Sequence, residues 1–95
     1  MAEVLEEPDI AKALATLPSW QREGSHIVRT FAFASYMLGI RFVQSVAELA
    51  ETSNHHPDIH IAWRKVTLRL STHSKRGLTE KDFALARAVD ALAAE

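Results

Sequence analysis

Residues 59–71, with the sequence IHIAWRKVTLRLS, decide the fold of this chain. Apolar and polar side chains alternate in the first part, 59–63, and alternate more regularly in the second, 66–71. A period of two residues is typical of a β-strand with one buried face. Only Arg64 and Lys65 separate the two parts, so they predict a tight antiparallel hairpin, although the Asn-Gly turn signal is missing. Three apolar residues of the second strand are expected to face the core: Val66, Leu68 and Leu70.

Three segments upstream of the hairpin also have a clear pattern. Residues 9–17 carry apolar side chains at helical spacing and predict a helix that ends before Pro18. Residues 26–33 are rich in β-branched and aromatic side chains and predict a strand whose aromatic face points inward. Residues 35–52 predict the longest helix. Its apolar surface is wider than one helix-on-sheet contact needs, which indicates a second partner.

The last helix is expected to begin after Thr79. Residues 79–82, TEKD, have the form of a capping box, and apolar residues then follow at helical spacing. The order helix, strands, long helix, hairpin, helix predicts an α+β domain, with helices layered on one face of an antiparallel sheet. With 95 residues, the chain is expected to form a single domain, 1–95.

Composition and charge narrow the function classes. The formal net charge of −1 gives no electrostatic footprint for nucleic acid, and no apolar run is long enough to span a bilayer. The acidic segment 1–7 lacks the basic-then-apolar order of a signal peptide. The lack of cysteine excludes disulfides and thiolate nucleophiles. We therefore expect a cytoplasmic protein without a nucleic-acid or membrane partner.

The segment Asn54-His55-His56-Pro57-Asp58, just before the hairpin, is the candidate for chemistry. Histidine is the side chain that ordinarily titrates closest to neutral pH, so paired imidazoles suit proton transfer. Pro57 favours an extended conformation at His56 and ends the preceding helix, which leaves both imidazoles on a loop. Because two paired strands return the chain to where it began, His73 should lie near this loop.

Other readings of the nearby residues are more ordinary. His55, His56, His60 and Asp58 can be drawn as a zinc site, but consecutive histidines rarely ligate one ion together, so no metal is expected. His60 is expected on a solvent-facing strand position, His26 at the end of a loop, and Trp63 packed into the sheet. Asp82 has a structural role as the third residue of the capping box, and this role is compatible with a place in the site.

The spacing of these residues resembles that of the pterin-4a-carbinolamine dehydratase family. The pattern consists of an acidic residue, a His-His-Pro run, an aromatic residue, a third histidine and an aspartate, found here at Glu51, 55–57, Trp63, His73 and Asp82. The resemblance extends upstream through Trp20 and the Arg29-x-Phe31-x-Phe33 strand, so it covers nearly the whole chain.

This resemblance implies a four-stranded antiparallel sheet with three helices packed on one face. It also implies dehydration of 4a-hydroxytetrahydrobiopterin to quinonoid dihydropterin and water, with no metal and no cofactor. By position, the catalytic residues are His55, His56 and His73, and the substrate-binding residues are Trp20, Glu51, Asp58 and Asp82. Members of the family form dimers or tetramers, so we expect a homodimer or homotetramer. Some animal members also bind a homeodomain transcription factor as a dimerisation cofactor.

The expected chemistry suits the residues. Eliminating water from a carbinolamine requires a proton for the departing hydroxyl and removal of another from N5, and imidazoles can do both. We expect His55 and His73 to transfer protons and His56 to orient the substrate. Two alternatives stay open: a non-catalytic oligomeric interaction or assembly module on the same fold, suggested by the wide apolar helix, and an enzyme acting on a related pterin, as in molybdopterin metabolism.

Overall fold

Four antiparallel strands form the sheet that carries the helices. The computed structural model describes residues 3–94, so Met1 and Ala2 of the acidic N-terminal segment, and Glu95, lie outside the described residues. The elements in chain order are α1 (Glu7–Ala15), β1 (Gln21–Glu23), β2 (His26–Ala32), α2 (Tyr36–Ser53), β3 (Asp58–Ala62), β4 (Lys65–Leu70), a short 3-10 helix (His73–Lys75) and α3 (Glu80–Ala93). The sheet order is β1-β2-β4-β3. The predicted α+β architecture, with three helices on one face, is confirmed for the described residues.

The inner face of the sheet is built by the alternating residues of β4 and β2. Val66, Leu68 and Leu70 are completely buried, as the period-two pattern predicted. In the antiparallel register Phe31 lies opposite Val66 and Ile27 opposite Leu70, so the aromatic face of β2 also points inward. The next strand, β3, pairs with the other side of β4. The core therefore lies between β2, β4 and the helices.

The β3–β4 hairpin turns at Trp63 and Arg64, because Ala62 pairs with Lys65. Both strands begin one residue earlier than the sequence pattern indicated. Trp63 has a φ of 50°, a left-handed conformation that residues other than glycine rarely adopt. Its side chain is 70% exposed, and the Arg64 guanidinium lies 4.2 Å from the centre of its ring. The prediction that Trp63 packs into the sheet is wrong, since the residue occupies the turn.

The long helix α2 has clear signals at both ends. The Ser35 side chain accepts a hydrogen bond from the Leu38 backbone at 3.2 Å, and Asn54 ends the helix in the left-handed conformation. Residues spaced along one face of this helix are buried: Gly39, Phe42, Val46 and Ala50. The exposed apolar side chains of α2 are concentrated in its first turn: Tyr36, Met37 and Leu38.

The first helix is tied to the β1–β2 hairpin by an ion pair. It begins at Glu7, two residues earlier than predicted, because Pro8 is tolerated in a first turn. Arg22 on β1 donates two hydrogen bonds to the Glu7 carboxylate, one of them at 2.8 Å. The hydrogen bond from Arg22, assisted by its charge and opposed by desolvation, lowers the pKa of Glu7 below its ordinary value. Within residues 3–94, no helix has the length and apolar character needed to cross a membrane.

Candidate active site

His55 occupies a half-buried position immediately after the end of α2. The left-handed Asn54 turns the chain, and the His55 backbone N–H donates to the Ala50 carbonyl at 3.1 Å. This turn directs the His55 side chain back toward α3. Its Nε2 lies 2.6 Å from Oδ1 of Asp82, and its side chain is 10% exposed. The first histidine of the pair is thus held by a carboxylate rather than free on the loop.

Asp82 is completely buried at the start of α3. The predicted capping box is confirmed: Oδ2 of Asp82 accepts a hydrogen bond from the Thr79 backbone N–H at 2.9 Å. The same oxygen accepts from Oγ1 of Thr72 at 2.8 Å, while Oδ1 faces His55. A buried carboxylate is stable only when its oxygens have partners, and a helix N-terminus adds favourable dipoles. Asp82 therefore serves the capping box and His55 at once.

Sequence reasoning did not single out Thr72. This buried threonine comes two residues after the end of β4 and immediately before His73. Its Oγ1 lies 2.7 Å from Oγ1 of Thr79. A polar residue next to a candidate histidine was the available signal, but threonine is common at strand ends and carries no specific spacing. Thr72 joins the segment that carries His73 to the His55–Asp82 pair.

His73 begins the short 3-10 helix and is exposed. Its ring centre lies 6.3 Å from that of His26, the half-buried first residue of β2. The sequence reading placed His26 at a loop end with no role in the site. The register explains its position. Ile27 pairs with Leu70 in the antiparallel sheet, so His26, one residue before Ile27, lies beside the segment that follows Leu70 and leads to Thr72 and His73. His26 is thus a neighbour of the site that the sequence did not reveal.

The second histidine of the pair is more open to solvent. Nε2 of His56 lies 2.6 Å from Oε2 of Glu51, and the two side chains are 54% and 79% exposed. Asp58 is exposed at the start of β3, opposite Arg69 on β4. His60 is exposed further along the same strand, as expected. The acidic residue before the His-His-Pro run therefore contacts the second histidine and not the first.

Trp20 lies in the core. It is 4% exposed, its indole N–H donates to Oδ1 of Asp90 at 2.8 Å, and its ring packs edge-on against Phe31. Arg29 donates to the same oxygen of Asp90 at 2.7 Å. A pocket wall needs an exposed aromatic face, and Trp20 does not offer one in this arrangement. Its contact with substrate stays a prediction.

An apolar groove between α2 and α3 reaches His55. It encloses about 210 Å³ and is lined mainly by Leu49, Leu85 and neighbouring alanines, with Lys81 at the same end as His55. Sites for small molecules usually enclose about 300–1,000 Å³ and carry several polar groups. The groove is smaller than this range, and its apolar lining offers few partners for the polar edge of a pterin. The segment that carries His73 is joined to His55 through Thr72 and Asp82.

Within the described range 3–94, no three histidine, cysteine, aspartate or glutamate side chains are grouped so that they could hold a metal ion. His55 and His56 each direct Nε2 to a carboxylate, in two separate pairs. The arrangement offers imidazoles paired with carboxylates, which is a construction for proton transfer.

Comparison with known proteins gives a consistent set of relatives. The family model described as pterin 4 alpha carbinolamine dehydratase matches residues 3–92. A Chloroflexus aurantiacus protein provisionally named as such a dehydratase is 54% identical over 86 residues, which are 90% of this chain and 92% of the relative. A Nocardia farcinica protein of the same provisional name is 52% identical over 91 residues, 96% of each chain.

Two solved structures share the fold. A transcriptional coactivator/pterin dehydratase from Brucella melitensis superposes with a TM-score of 0.90 at 34% identity, covering 94% of this chain and 97% of the other. A pterin dehydratase-like protein, described as a RuBisCO assembly factor in the alpha-carboxysome, superposes with a TM-score of 0.65 at 32% identity, covering 78% and 86%. The chain is thus similar along nearly its whole length to proteins named for one reaction.

Proposed function

Because this chain belongs to the pterin 4 alpha carbinolamine dehydratase family, we propose that it recycles tetrahydrobiopterin by dehydrating 4a-hydroxytetrahydrobiopterin through histidine acid–base catalysis. Dehydratases of this kind are hydro-lyases, and the chain is an enzyme of that class. The observation that carries the catalytic proposal is the 2.6 Å contact between the half-buried His55 and the buried Asp82. Paired in this way, an imidazole is held in one orientation and one protonation pattern, as proton transfer requires.

The reaction needs two proton transfers. One proton is delivered to the 4a-hydroxyl, whose C–O bond breaks so that water leaves. The N5 lone pair forms the C4a=N5 double bond, and the proton of N5 passes to a base, giving quinonoid dihydropterin. Atoms and electrons balance without an oxidant or reductant. Each positioned acid or base supplies about 10²–10⁴-fold in rate.

We assign the roles by position and by the partner of each side chain. His55, held by Asp82, and His73 transfer protons, while His56 orients the substrate. Glu51 supports His56 through their 2.6 Å contact. The exposed Asp58, two residues after His56, and the buried Asp82 are proposed as substrate-binding residues on the family resemblance. Trp20 is proposed as a pocket wall on the family resemblance alone, and only 4% of it is exposed to meet a substrate.

A direct assay tests this proposal. The decay of a freshly generated 4a-carbinolamine, followed by ultraviolet absorbance, is expected to accelerate with the wild-type protein. His73→Ala should reduce that acceleration about 100-fold or more, since it removes one proton-transfer group. His60→Ala is the matched control, because it deletes an exposed histidine outside these contacts. Equal rates for wild type, His73→Ala and buffer would overturn the enzymatic proposal.

We also propose that the protein works as a homodimer or homotetramer. The support is the apolar surface left exposed at the start of α2, along β3 and at the hairpin turn. Ile59 and Ile61 on β3 are 36% and 38% exposed, and Trp63 in the turn is 70% exposed. Ile59 and Ile61 lie opposite the buried Leu68 and Val66, so they share the inner face of the sheet but extend past its helical cover. Such surface favours self-association. Light scattering at tens of micromolar should give a dimer or tetramer, and a monomer would contradict this.

A second function, as a non-catalytic interaction or assembly module, has one specific observation in its favour. A protein of the same fold at 32% identity is described as a RuBisCO assembly factor. The exposed apolar surface of β3 would suit such a role. The carbinolamine assay separates the two functions, because an assembly module would show no rate above buffer. Repeating the assay with other hydrated pterins distinguishes tetrahydrobiopterin from a related pterin as substrate.

The proposed small-molecule partner is therefore a pterin, with no cofactor, nucleic acid or membrane required by the reaction. A cytoplasmic location is proposed with it, because recycling requires the hydroxylase that releases the carbinolamine to share its compartment.

A further inference from the structure

One of the two buried threonines beside Asp82, Thr72, makes contacts that the capping box does not explain. A helix start needs only the Thr79 side chain and the Asp82 carboxylate, and both are present. Thr72 is not part of α3, yet its hydroxyl lies 2.7 Å from Thr79 Oγ1 and 2.8 Å from Asp82 Oδ2. Burying an additional hydroxyl is unfavourable unless it is hydrogen-bonded, and the partners of this one are Asp82 and the residue that caps the same helix.

The donor and the acceptor of each hydrogen bond in this network can be assigned. The Lys81 backbone N–H donates to Oγ1 of Thr79, at 3.3 Å. The hydroxyl of Thr72 donates to Oδ2 of the Asp82 carboxylate. The Thr72 hydroxyl has a single hydrogen, which it donates to Asp82. Its oxygen must therefore accept the hydrogen of the Thr79 hydroxyl. The series of hydrogen bonds therefore runs from Lys81 through Thr79 and Thr72 to Asp82. In each bond the donor lies on the Lys81 side and the acceptor on the Asp82 side.

The consequence falls on His55. Oδ2 of Asp82 already accepts two hydrogen bonds, from Thr72 and from the Thr79 backbone, so the carboxylate presents Oδ1 to the ring. A carboxylate oxygen can only accept, which means that Nε2 of His55 carries the hydrogen in this 2.6 Å contact. This holds for the neutral ring and for the imidazolium. The remaining nitrogen, Nδ1, is then the one that gains or loses a proton.

Nδ1 is also open for that task. Among residues 3–94 the structure shows no hydrogen bond to Nδ1, and no buried side-chain nitrogen or oxygen is left without a partner. Nδ1 is therefore accessible rather than sealed in the core. Its ring borders the opening between α2 and α3.

We propose that Thr72 is a positioning residue whose hydroxyl, oriented by Thr79, orders Asp82 and thereby fixes His55 as the Nε2–H tautomer with Nδ1 as its proton-transfer atom. The catalytic half of this inference rests on the proposed function, and the tautomer half does not. Thr72→Val removes the hydroxyl and keeps the branched shape, while Thr72→Ser keeps the hydroxyl. Without the donor, Oδ2 of Asp82 keeps only the hydrogen bond from the Thr79 backbone, so the carboxylate can turn away from Nε2 and the ring is no longer held in one tautomer.

The test measures tautomer and rate separately. Long-range proton–nitrogen spectra of protein labelled with ¹⁵N-histidine report which ring nitrogen carries hydrogen, and loss of a signal in His55→Ala assigns it. We expect Nε2–H in wild type and in Thr72→Ser, and a mixture of tautomers in Thr72→Val. Carbinolamine dehydration should fall at least about ten-fold in Thr72→Val and recover in Thr72→Ser, a part of the effect of one positioned acid or base.

A matched control separates position from the chemical change itself. Thr30→Val removes a hydroxyl that bonds only Thr67 on the open face of the sheet, at 2.8 Å, and should leave tautomer and rate unchanged. Nδ1–H in wild type would overturn the proposal even if no variant folds, and so would wild-type tautomer and rate in Thr72→Val. Wild-type protein that is inactive but shows Nε2–H refutes the dehydratase function and leaves the positioning of His55 standing.

Discussion

Nε2 of His55 lies 2.6 Å from Oδ1 of Asp82, although 27 positions separate the two residues in the sequence. His55 comes from the turn after α2, and Asp82 from the first turn of α3. The β3–β4 hairpin between them leads the chain away and back, so the two helix ends meet at one end of the sheet. One aspartate thereby starts a helix and holds an imidazole, and stability and chemistry depend on the same carboxylate.

Asp82→Asn tests that dependence at nearly constant shape. The amide oxygen can still accept from Thr72 and from the Thr79 backbone, so its NH₂ must face Nε2 of His55. The ring is then forced into the Nδ1–H tautomer, with no basic nitrogen available to substrate. The dehydration rate should fall about 10²–10⁴-fold, while the free energy of unfolding drops by about 1 kcal/mol.

Rate assays and denaturant unfolding on the same preparation check this prediction. The nitrogen spectra described above should show the changed tautomer directly. A rate loss that only matches a loss of folded protein would reduce Asp82 to a helix cap. An unchanged rate would remove His55 from the chemistry.

Trp20→Phe distinguishes a core tryptophan from a pocket wall. The change deletes the indole N–H that bonds Asp90 at 2.8 Å and leaves an aromatic ring beside Phe31. We expect a loss of about 1–2 kcal/mol in the free energy of unfolding, because a hydrogen bond to a charged group and some packing are lost. Trp63→Phe is the control, since that exposed turn residue should change stability by less than about 0.5 kcal/mol. A raised KM with unchanged stability would place Trp20 in the substrate pocket.

Periodicity predicted most of the fold because the buried faces are regular. The alternation of Val66, Leu68 and Leu70 identified β4, and the capping box identified the start of α3. Element ends were off by one or two residues, as at Pro8, because a proline in a first turn resembles a helix boundary. The prediction that Trp63 is packed into the sheet was wrong for another reason. A large aromatic residue favours burial, but the two-residue turn required a left-handed conformation at its position.

Sequence spacing predicted only part of the candidate site. The hairpin argument brought the His-His-Pro segment toward His73, and the network through Thr72 and Asp82 does join the two segments. No spacing rule identifies Thr72, because its partners lie seven and ten positions away and depend on how α3 docks. The place of His26 beside His73 was not predicted, for a similar reason. Its nearness to His73 follows from the β2–β4 register, which pairs segments about forty residues apart.

Acid should weaken the attachment of α1 in a defined direction. Hydrogen bonding from Arg22 lowers the pKa of Glu7 below that of the unfolded chain. The pair therefore contributes its full stabilisation above the unfolded value of about 4.3 and loses it as pH falls through the lower folded value. Glu7→Gln cannot titrate, so the difference in unfolding free energy between wild type and variant should shrink between about pH 6 and pH 3. Denaturant unfolding across that range measures it, and a constant difference would show that Arg22 does not hold the carboxylate in solution.

Gly39 offers a stabilising change inside α2. A methyl group at this position would lie 3.5 Å from the Phe33 ring and 3.6 Å from Val66, which is ordinary contact distance, so the glycine is not needed for close approach. Alanine is favoured over glycine in a helix by about 1 kcal/mol, so Gly39→Ala should raise the free energy of unfolding by about 0.5–1 kcal/mol and the Tm by about 2–8 °C.

Gly24→Ala is the matched control. It meets nothing within 4 Å, but its φ of +60° is costly for alanine, so stability should fall by about 1 kcal/mol. Destabilisation by Gly39→Ala would mean that α2 packs closer to a neighbour in solution than this arrangement shows.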